Sequence, residues 1–138
     1  MKRKLFEISL VIESGACNCE QITAFLSCQP TRERGVSDWP KSIIQTTKLP
    51  QNLKPRNIWE LSFCAIFENE VATAIQNMTQ RISKIKSRLK ELHQQFPVHM
   101  NLVITIDSEH KWSTDLTIPI DLVLFMHQIN GEMIINPR

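Results

Sequence analysis

The four cysteines of this 138-residue chain, at positions 17, 19, 28 and 64, could support the widest range of chemistry. Thiolates at Cys17, Cys19 and Cys28 could begin a zinc site, with Cys64 or a histidine as the fourth ligand. The paired C-x-x-C spacing typical of structural zinc sites is absent, however, and Cys64 falls in an alternating, strand-like run. Cys19 would lie near a helix start, where the dipole favours a thiolate, but no histidine or aspartate stands beside it. We therefore expect reduced, structural cysteines without bound metal or a catalytic role.

Other motifs of catalysis or nucleotide binding are missing from the sequence. None of the three glycines occurs in a G-x-G-x-x-G or Walker spacing, and there is no G-x-S-x-G or H-E-x-x-H motif. Asp107 and Glu109 lie next to His110, and two carboxylates in a loop can act as general acid and base or hold a metal. Loop carboxylates are ordinarily solvated, so we predict no catalytic residue, no metal site and no cofactor. The histidines show no helical pairing, and we predict solvated side chains for all four: His93, His99, His110 and His127.

A run of cations is the clearest charge signal, and it comprises Arg81, Lys84, Lys86, Arg88 and Lys90. Cations along one helix could displace counterions from nucleic-acid phosphates. Against this function, they spread around three polar sides of the predicted helix, and no aromatic residue is interleaved for stacking on bases. The net charge of +2 is also too balanced for an obligate nucleic-acid binder. A solvated helix face is the favoured interpretation, and nucleic-acid binding is the alternative.

An acidic loop with an aromatic centre is the second charge signal. Four carboxylates, from Asp107, Glu109, Asp115 and Asp121, face only Lys111, so this region carries a net charge of −3. Trp112 stands in its middle, and a large rigid side chain in a polar loop is typical of an interface anchor. The alternative is that Trp112 packs onto the domain's own core. We predict a partner-binding site formed by Asp107, Glu109, Trp112 and Asp115.

Alternating apolar residues predict the strands that must position these loops. They lie at 5–12, 58–64, 98–106 and 132–135, and each has one buried face. Between them, residues 29–57 form a polar connection rich in proline, with a weak edge strand at 42–47. A connection of this length is unusual in a compact domain, so it is functional, mobile or contains an unrecognised element.

Helical periodicity predicts three helices. Asn18 is the expected N-cap of a short first helix. Apolar residues then repeat in steps of four and three through one long helix over 68–95, and this stripe fits packing on a sheet better than a coiled coil. Pro119 can occupy the first position of a third helix, and Gly131 its C-terminal cap.

These elements predict one domain over residues 1–138. Alternating strands with one polar face, combined with three helices, favour an α+β two-layer sandwich of ferredoxin-like character. We expect a mainly antiparallel sheet of four or five strands with one long and two short helices on one face. The composition, 42% hydrophobic and 22% charged, fits a globular protein and excludes wholesale disorder.

Several motifs along this order resemble a known family. They are Ile22-Thr23 with Leu26, Pro30-Thr31 followed by Gly35, a Trp59-x-Leu61 strand, and a last helix capped by Gly131. Across nearly the whole chain this pattern resembles the bacterial family called domain of unknown function 4279. The chain departs from it in a longer stretch between Gly35 and Trp59 and in a last strand without the expected tyrosine. The resemblance implies a small cytoplasmic bacterial α+β domain, with no established activity and no catalytic residue.

We therefore predict a non-catalytic protein-binding domain. Its most specific form is an immunity protein that neutralises a cognate bacterial toxin, and the alternative is nucleic-acid or ribonucleoprotein binding through the basic helix. The apolar runs stop short of the 18 residues that a membrane span needs, so we expect no membrane partner. Glu7 and Ser9 interrupt the apolar stretch after the basic start, so no secretory signal is expected and a cytoplasmic monomer or homodimer is predicted.

Overall fold

The computed structural model describes residues 3–39 and 56–137, which form five strands and three α-helices. The strands are β1 (Phe6–Ser14), β2 (Arg32–Arg34), β3 (Asn57–Ala65), β4 (His99–Ile106) and β5 (Glu132–Pro137). The α-helices are α1 (Cys19–Leu26), α2 (Val71–Gln95) and α3 (Ile120–Gln128). Within these two ranges, the short 3₁₀ turn Val36–Asp38 follows β2, and a second one, Glu68–Glu70, leads into α2.

The strands form one mixed sheet in the order β2-β3-β1-β4-β5. The first four strands pair antiparallel, and with α1 and α2 they follow the split βαβ arrangement of ferredoxin-like folds. Helix α3 then carries the chain back across the sheet, so β5 lies parallel to β4 at the edge. The predicted α+β sandwich with a mainly antiparallel sheet is thereby confirmed.

One hydrophobic core joins the helices to one face of the sheet. Alternate residues of β1, β3 and β4 enter this core, and Trp59 at its centre donates from Nε1 to Thr23 Oγ1 at 3.0 Å. The apolar stripe of α2 is buried from Val71 to Leu92, and Phe96, just past the helix end, is 39% exposed. The stripe is therefore covered by the chain's own sheet, as predicted, and is not a coiled-coil seam. Buried residues of α3 belong to the same core, so all three helices lie on one face.

The ends of the short helices depend on individual residues. Asn18 is the N-cap of α1, as predicted: its side chain accepts from Gln21 N at 2.8 Å, and the Gln21 side chain accepts from Asn18 N at 2.9 Å. After α3 the left-handed residue is Asn130, with φ 54°, and not the predicted Gly131. Gly131 is needed for a different reason, because a Cβ there would lie well inside 3.0 Å of the Met100 carbonyl oxygen.

The predicted polar connection over 29–57 contains regular structure in its first part. It forms β2 and the first 3₁₀ turn, while the weak strand predicted at 42–47 lies outside the described residues. Within the two described ranges, no helix combines the length and apolar character that crossing a bilayer requires.

Candidate protein-binding surface

Three chain segments meet at one end of the sheet because β1 runs antiparallel to both of its neighbours. Phe6, at the start of β1, pairs with Ala65 at the end of β3 and with Ile106 at the end of β4. The register continues past the strands, since Leu5 N donates to Ala65 O and Asp107 N donates to Leu5 O, each at 2.9 Å. The turn after β3 and the acidic loop after β4 therefore start side by side.

Glu68 fastens the acidic loop to the turn that leads into α2. Its Oε1 lies 2.6 Å from His110 Nε2 and accepts from Ser113 N at 3.1 Å, while its Oε2 accepts from Ser113 Oγ at 2.6 Å. These hydrogen bonds, first from the Ser113 hydroxyl and then from His110, hold the pKa of Glu68 below its usual value. His110 is therefore not the free surface histidine that the sequence predicted.

Trp112 packs onto the domain and does not project into solvent. Its ring is half-buried against the core, its Nε1 donates to Asp107 O at 3.0 Å, and the His110 ring meets it edge-on at 5.0 Å between centroids. Trp112 therefore packs onto the domain's own core, as in the alternative given in the sequence analysis. A half-buried indole with a bonded N–H contributes to the loop's rigidity more directly than to contact with a partner.

The four predicted partner-binding residues fall into two groups. Asp107 is 6% exposed; its carboxylate lies 3.2 Å from Arg3 Nε and accepts from Glu109 N at 3.0 Å, so with Trp112 it supports the loop. Glu109 and Asp115 are exposed, although Glu109 Oε2 lies 3.4 Å from Arg3 Nη1. Of the four predicted residues, Glu109 and Asp115 are therefore the two whose side chains are exposed enough to contact a partner directly.

Two exposed apolar residues beside this loop were missed in the sequence analysis. Ile66 and Phe67 are 37% and 52% exposed, and Phe67 directly precedes the loop-binding Glu68. Glu70 Oε1 accepts from both of their backbone N–H groups, at 3.1 and 2.9 Å, so the turn is held while the Phe67 ring stays accessible. The available signal was that apolar character continues past Ala65, beyond the alternation of β3. We call Ile66, Phe67, Glu109 and Asp115 the strand-end surface.

The five cations of α2 do not form one surface. Arg81 Nη1 lies 3.6 Å from Cys28 Sγ and Arg88 Nη1 donates to Phe25 O at 3.1 Å, so both reach toward α1. Lys86 Nζ lies 5.8 Å from the Phe125 ring, on the side of α3. Lys84 is exposed and Lys90 is half-buried. This distribution agrees with cations spread around a helix that packs on the sheet.

The cysteines are separated between the core and the uncovered face of the sheet. Cys17, Cys19 and Cys28 are buried, and Cys64 is exposed. Burial, followed by the nearby Glu33 carboxylate, raises the pKa of the Cys19 thiol, which lies 3.3 Å from Ile58 O. In the described part of the chain, no three His, Cys, Asp or Glu side chains are grouped so that they could hold a metal.

Trp39, which follows the 3₁₀ turn Val36–Asp38, packs locally. Its Nε1 donates to Arg56 O at 3.1 Å, and the Arg34 guanidinium lies 4.6 Å from the ring centroid.

Comparison with protein-family models, curated proteins and solved structures found no match to this chain. The resemblance to domain of unknown function 4279 therefore stays a prediction from the motifs given above.

Proposed function

We propose that this protein is a non-catalytic protein-binding domain whose strand-end surface contacts the partner. Its most specific form is an immunity protein that neutralises a cognate toxin. The observation that supports this proposal is a solvent-accessible Phe67 on a turn fastened at two points: Glu70 caps the turn and Glu68 binds the neighbouring loop.

Rigid aromatic side chains favour binding because little conformational entropy is lost when a partner covers them. Phe67 and Ile66 would form the apolar centre of such a contact, and the exposed carboxylates of Glu109 and Asp115 would form its rim. A rim of this charge attracts a basic partner and increases its association rate. We therefore expect a partner with an apolar pocket bordered by lysine or arginine.

The first experiment recovers the tagged chain from its own host after nuclease treatment and a high-salt wash. We expect one stoichiometric protein to survive both, to be toxic when expressed alone and to be neutralised by this chain. The Phe67→Ala variant should weaken that complex by about 30-fold or more, as expected for a truncated hot spot worth about 2 kcal/mol. Phe96→Ala is the matched control, because Phe96 is also an exposed phenylalanine, at 39%, but lies at the end of α2.

Two results would contradict the proposal. Equal affinity of wild type and Phe67→Ala would exclude the strand-end surface as the contact. A bound fraction lost on nuclease or salt treatment, and lost again on charge reversal of Arg81, Lys84 and Arg88, would support the alternative of nucleic-acid binding. Lys86 lies on the α3 side of α2, away from Arg81 and Arg88 on the α1 side, which argues against one contact that uses all five cations.

Trp112→Ala separates support of the loop from contact with a partner. Trp112 is half-buried and bonded to Asp107 O, so its removal should lower the stability of the domain by about 2–3 kcal/mol. Phe67→Ala should change stability by less than about 1 kcal/mol, because the ring is 52% exposed. Urea unfolding of the two variants would show the difference, and equal destabilisation would contradict these assigned roles.

A further inference from the structure

The two edges of the sheet differ in their protection against pairing with another strand. β2 has three residues, all exposed and all charged, and short charged edges resist such pairing. β5 has six residues, and its centre, Met133, Ile134 and Ile135, is entirely apolar. Within residues 3–39 and 56–137, no strand pairs with the outer side of β5. This edge therefore presents backbone donors and acceptors for pairing.

Exposed apolar side chains also occur in the helix layer and on the strand at this edge. Ile120 and Leu124 of α3 are 66% and 52% exposed, although the opposite face of α3 is buried in the core. Ile135 of β5 pairs with the buried Ile104, so it lies on the helix side of the sheet, yet it is 62% exposed. Exposed apolar side chains that lie together in this way are typical of a surface that another molecule covers.

One flank of α3 is turned toward the edge. Lys86 of α2 lies 5.8 Å from the Phe125 ring, so Phe125 marks the flank of α3 that faces α2. Each residue advances about 100° around a helix, which places Val123 on the other flank and Ile120 on the outer side of the helix, opposite the buried face. Because α3 packs on β4 and β5, this flank lies on the side of the free edge.

We propose that a second copy of this chain pairs with β5, antiparallel, about a two-fold axis perpendicular to the sheet. Opposed residues of an antiparallel pair share one face, so this axis keeps the helices of both copies on the same side. With Ile134 opposite its own copy, Met133 lies opposite Ile135 of the partner subunit. Glu132 lies opposite Asn136 of the partner subunit, so no like charges oppose each other. Pro137, which has no N–H to donate, falls outside the paired residues.

The contact area makes this a reversible dimer. A six-residue strand is about 20 Å long, and a sheet with one helix layer is about 20 Å thick, so each copy covers roughly 400 Å². Stable interfaces cover about 800 Å² per partner. The chain should therefore be monomeric when dilute and dimeric at high concentration.

Sedimentation equilibrium from about 10 to about 500 μM tests the proposal, a range set by the affinities of weak interfaces. We expect wild type to associate and Ile135→Lys to associate at least about tenfold more weakly. Phe96→Lys, which introduces the same residue at an exposed apolar side chain packed against Phe25 of α1, should associate like wild type. Circular dichroism melts would verify that both variants fold. Monomeric wild type throughout, or undiminished association of Ile135→Lys, would overturn the proposal.

Disulfide trapping tests the register, in a Cys64→Ser background that removes the exposed native thiol. Ile134→Cys should cross-link to its own copy under copper–phenanthroline oxidation, since the two Cβ atoms would be about 5 Å apart. Ile135→Cys should not, because it faces Met133 of the partner subunit. Cross-linking at 135 in place of 134, or at neither, would overturn this pairing. None of these residues belongs to the strand-end surface, so failure here is separate from failure of the proposed function.

Discussion

Gly131 links α3 to β5 at a point where the backbone passes close to β4. A Cβ added there would lie well inside 3.0 Å of the Met100 carbonyl oxygen and 2.6 Å from Met126 Cε. The methionine methyl can rotate away, but the carbonyl belongs to β4, a strand that is paired with a neighbour on both sides. Gly131→Ala must therefore displace the start of β5, although its backbone φ is not positive.

The expected destabilisation follows from two opposing contributions. Overpacking against atoms that cannot move costs about 1–3 kcal/mol. Replacing glycine by alanine also restricts the unfolded chain, which stabilises the folded state by about 0.4–1 kcal/mol. Because the obstructing atom is backbone, we expect the first effect to dominate, with a net loss of about 1–2 kcal/mol and a fall in Tm of roughly 3–7 °C.

Gly15→Ala is the matched control for this substitution. No atom lies within 4 Å of a Cβ at Gly15 and its φ is not positive, so only the effect on the unfolded chain acts there. We expect this variant to be unchanged or more stable by up to about 1 kcal/mol. Urea unfolding of the two variants measures the difference, and hydrogen exchange over 132–137 should accelerate only in Gly131→Ala. Equal stability of the two variants would refute the close approach of Gly131 to Met100.

Two further predictions concern titratable groups. Burial opposes ionisation of Glu7, but hydrogen bonds from Arg32 and Lys4 outweigh it and hold the pKa of Glu7 below 4.5. The ionised carboxylate therefore stabilises the folded state above pH 4.5, and this stabilisation is lost as the pH falls through the folded-state pKa. Glu7→Gln should lower the free energy of unfolding by about 1 kcal/mol at neutral pH, a small value because both cations are about half exposed. In urea unfolding at several pH values, the variant should lose less stability on acidification than wild type. An equal loss in the two proteins would contradict this. Cys64 should react with a thiol reagent in the native protein, whereas Cys19, with its raised pKa, should react only after unfolding; simultaneous labelling would contradict the burial described.

Local periodicity was sufficient to predict most of the fold. Alternation identified β1, β3, β4 and β5, and the four-three repeat identified α2, because both patterns arise from residues close together in the chain. The Asn18 cap was predictable for the same reason, since its partner Gln21 is three residues away. β2 was missed because three charged residues carry no alternation.

The strand-end surface was only partly predictable. The sequence indicated the acidic loop but placed Trp112 and Asp107 among the contact residues. Glu68 binds His110 across 42 positions of the chain, a contact that no local spacing specifies. The antiparallel register of β1 with β3 and β4 brings these segments together, packs Trp112 against the core and leaves Phe67 exposed. The sequence alone therefore predicted every element except β2 and the short 3₁₀ turns, while the tertiary structure decided which loop side chains face solvent, because that depends on contacts between distant segments.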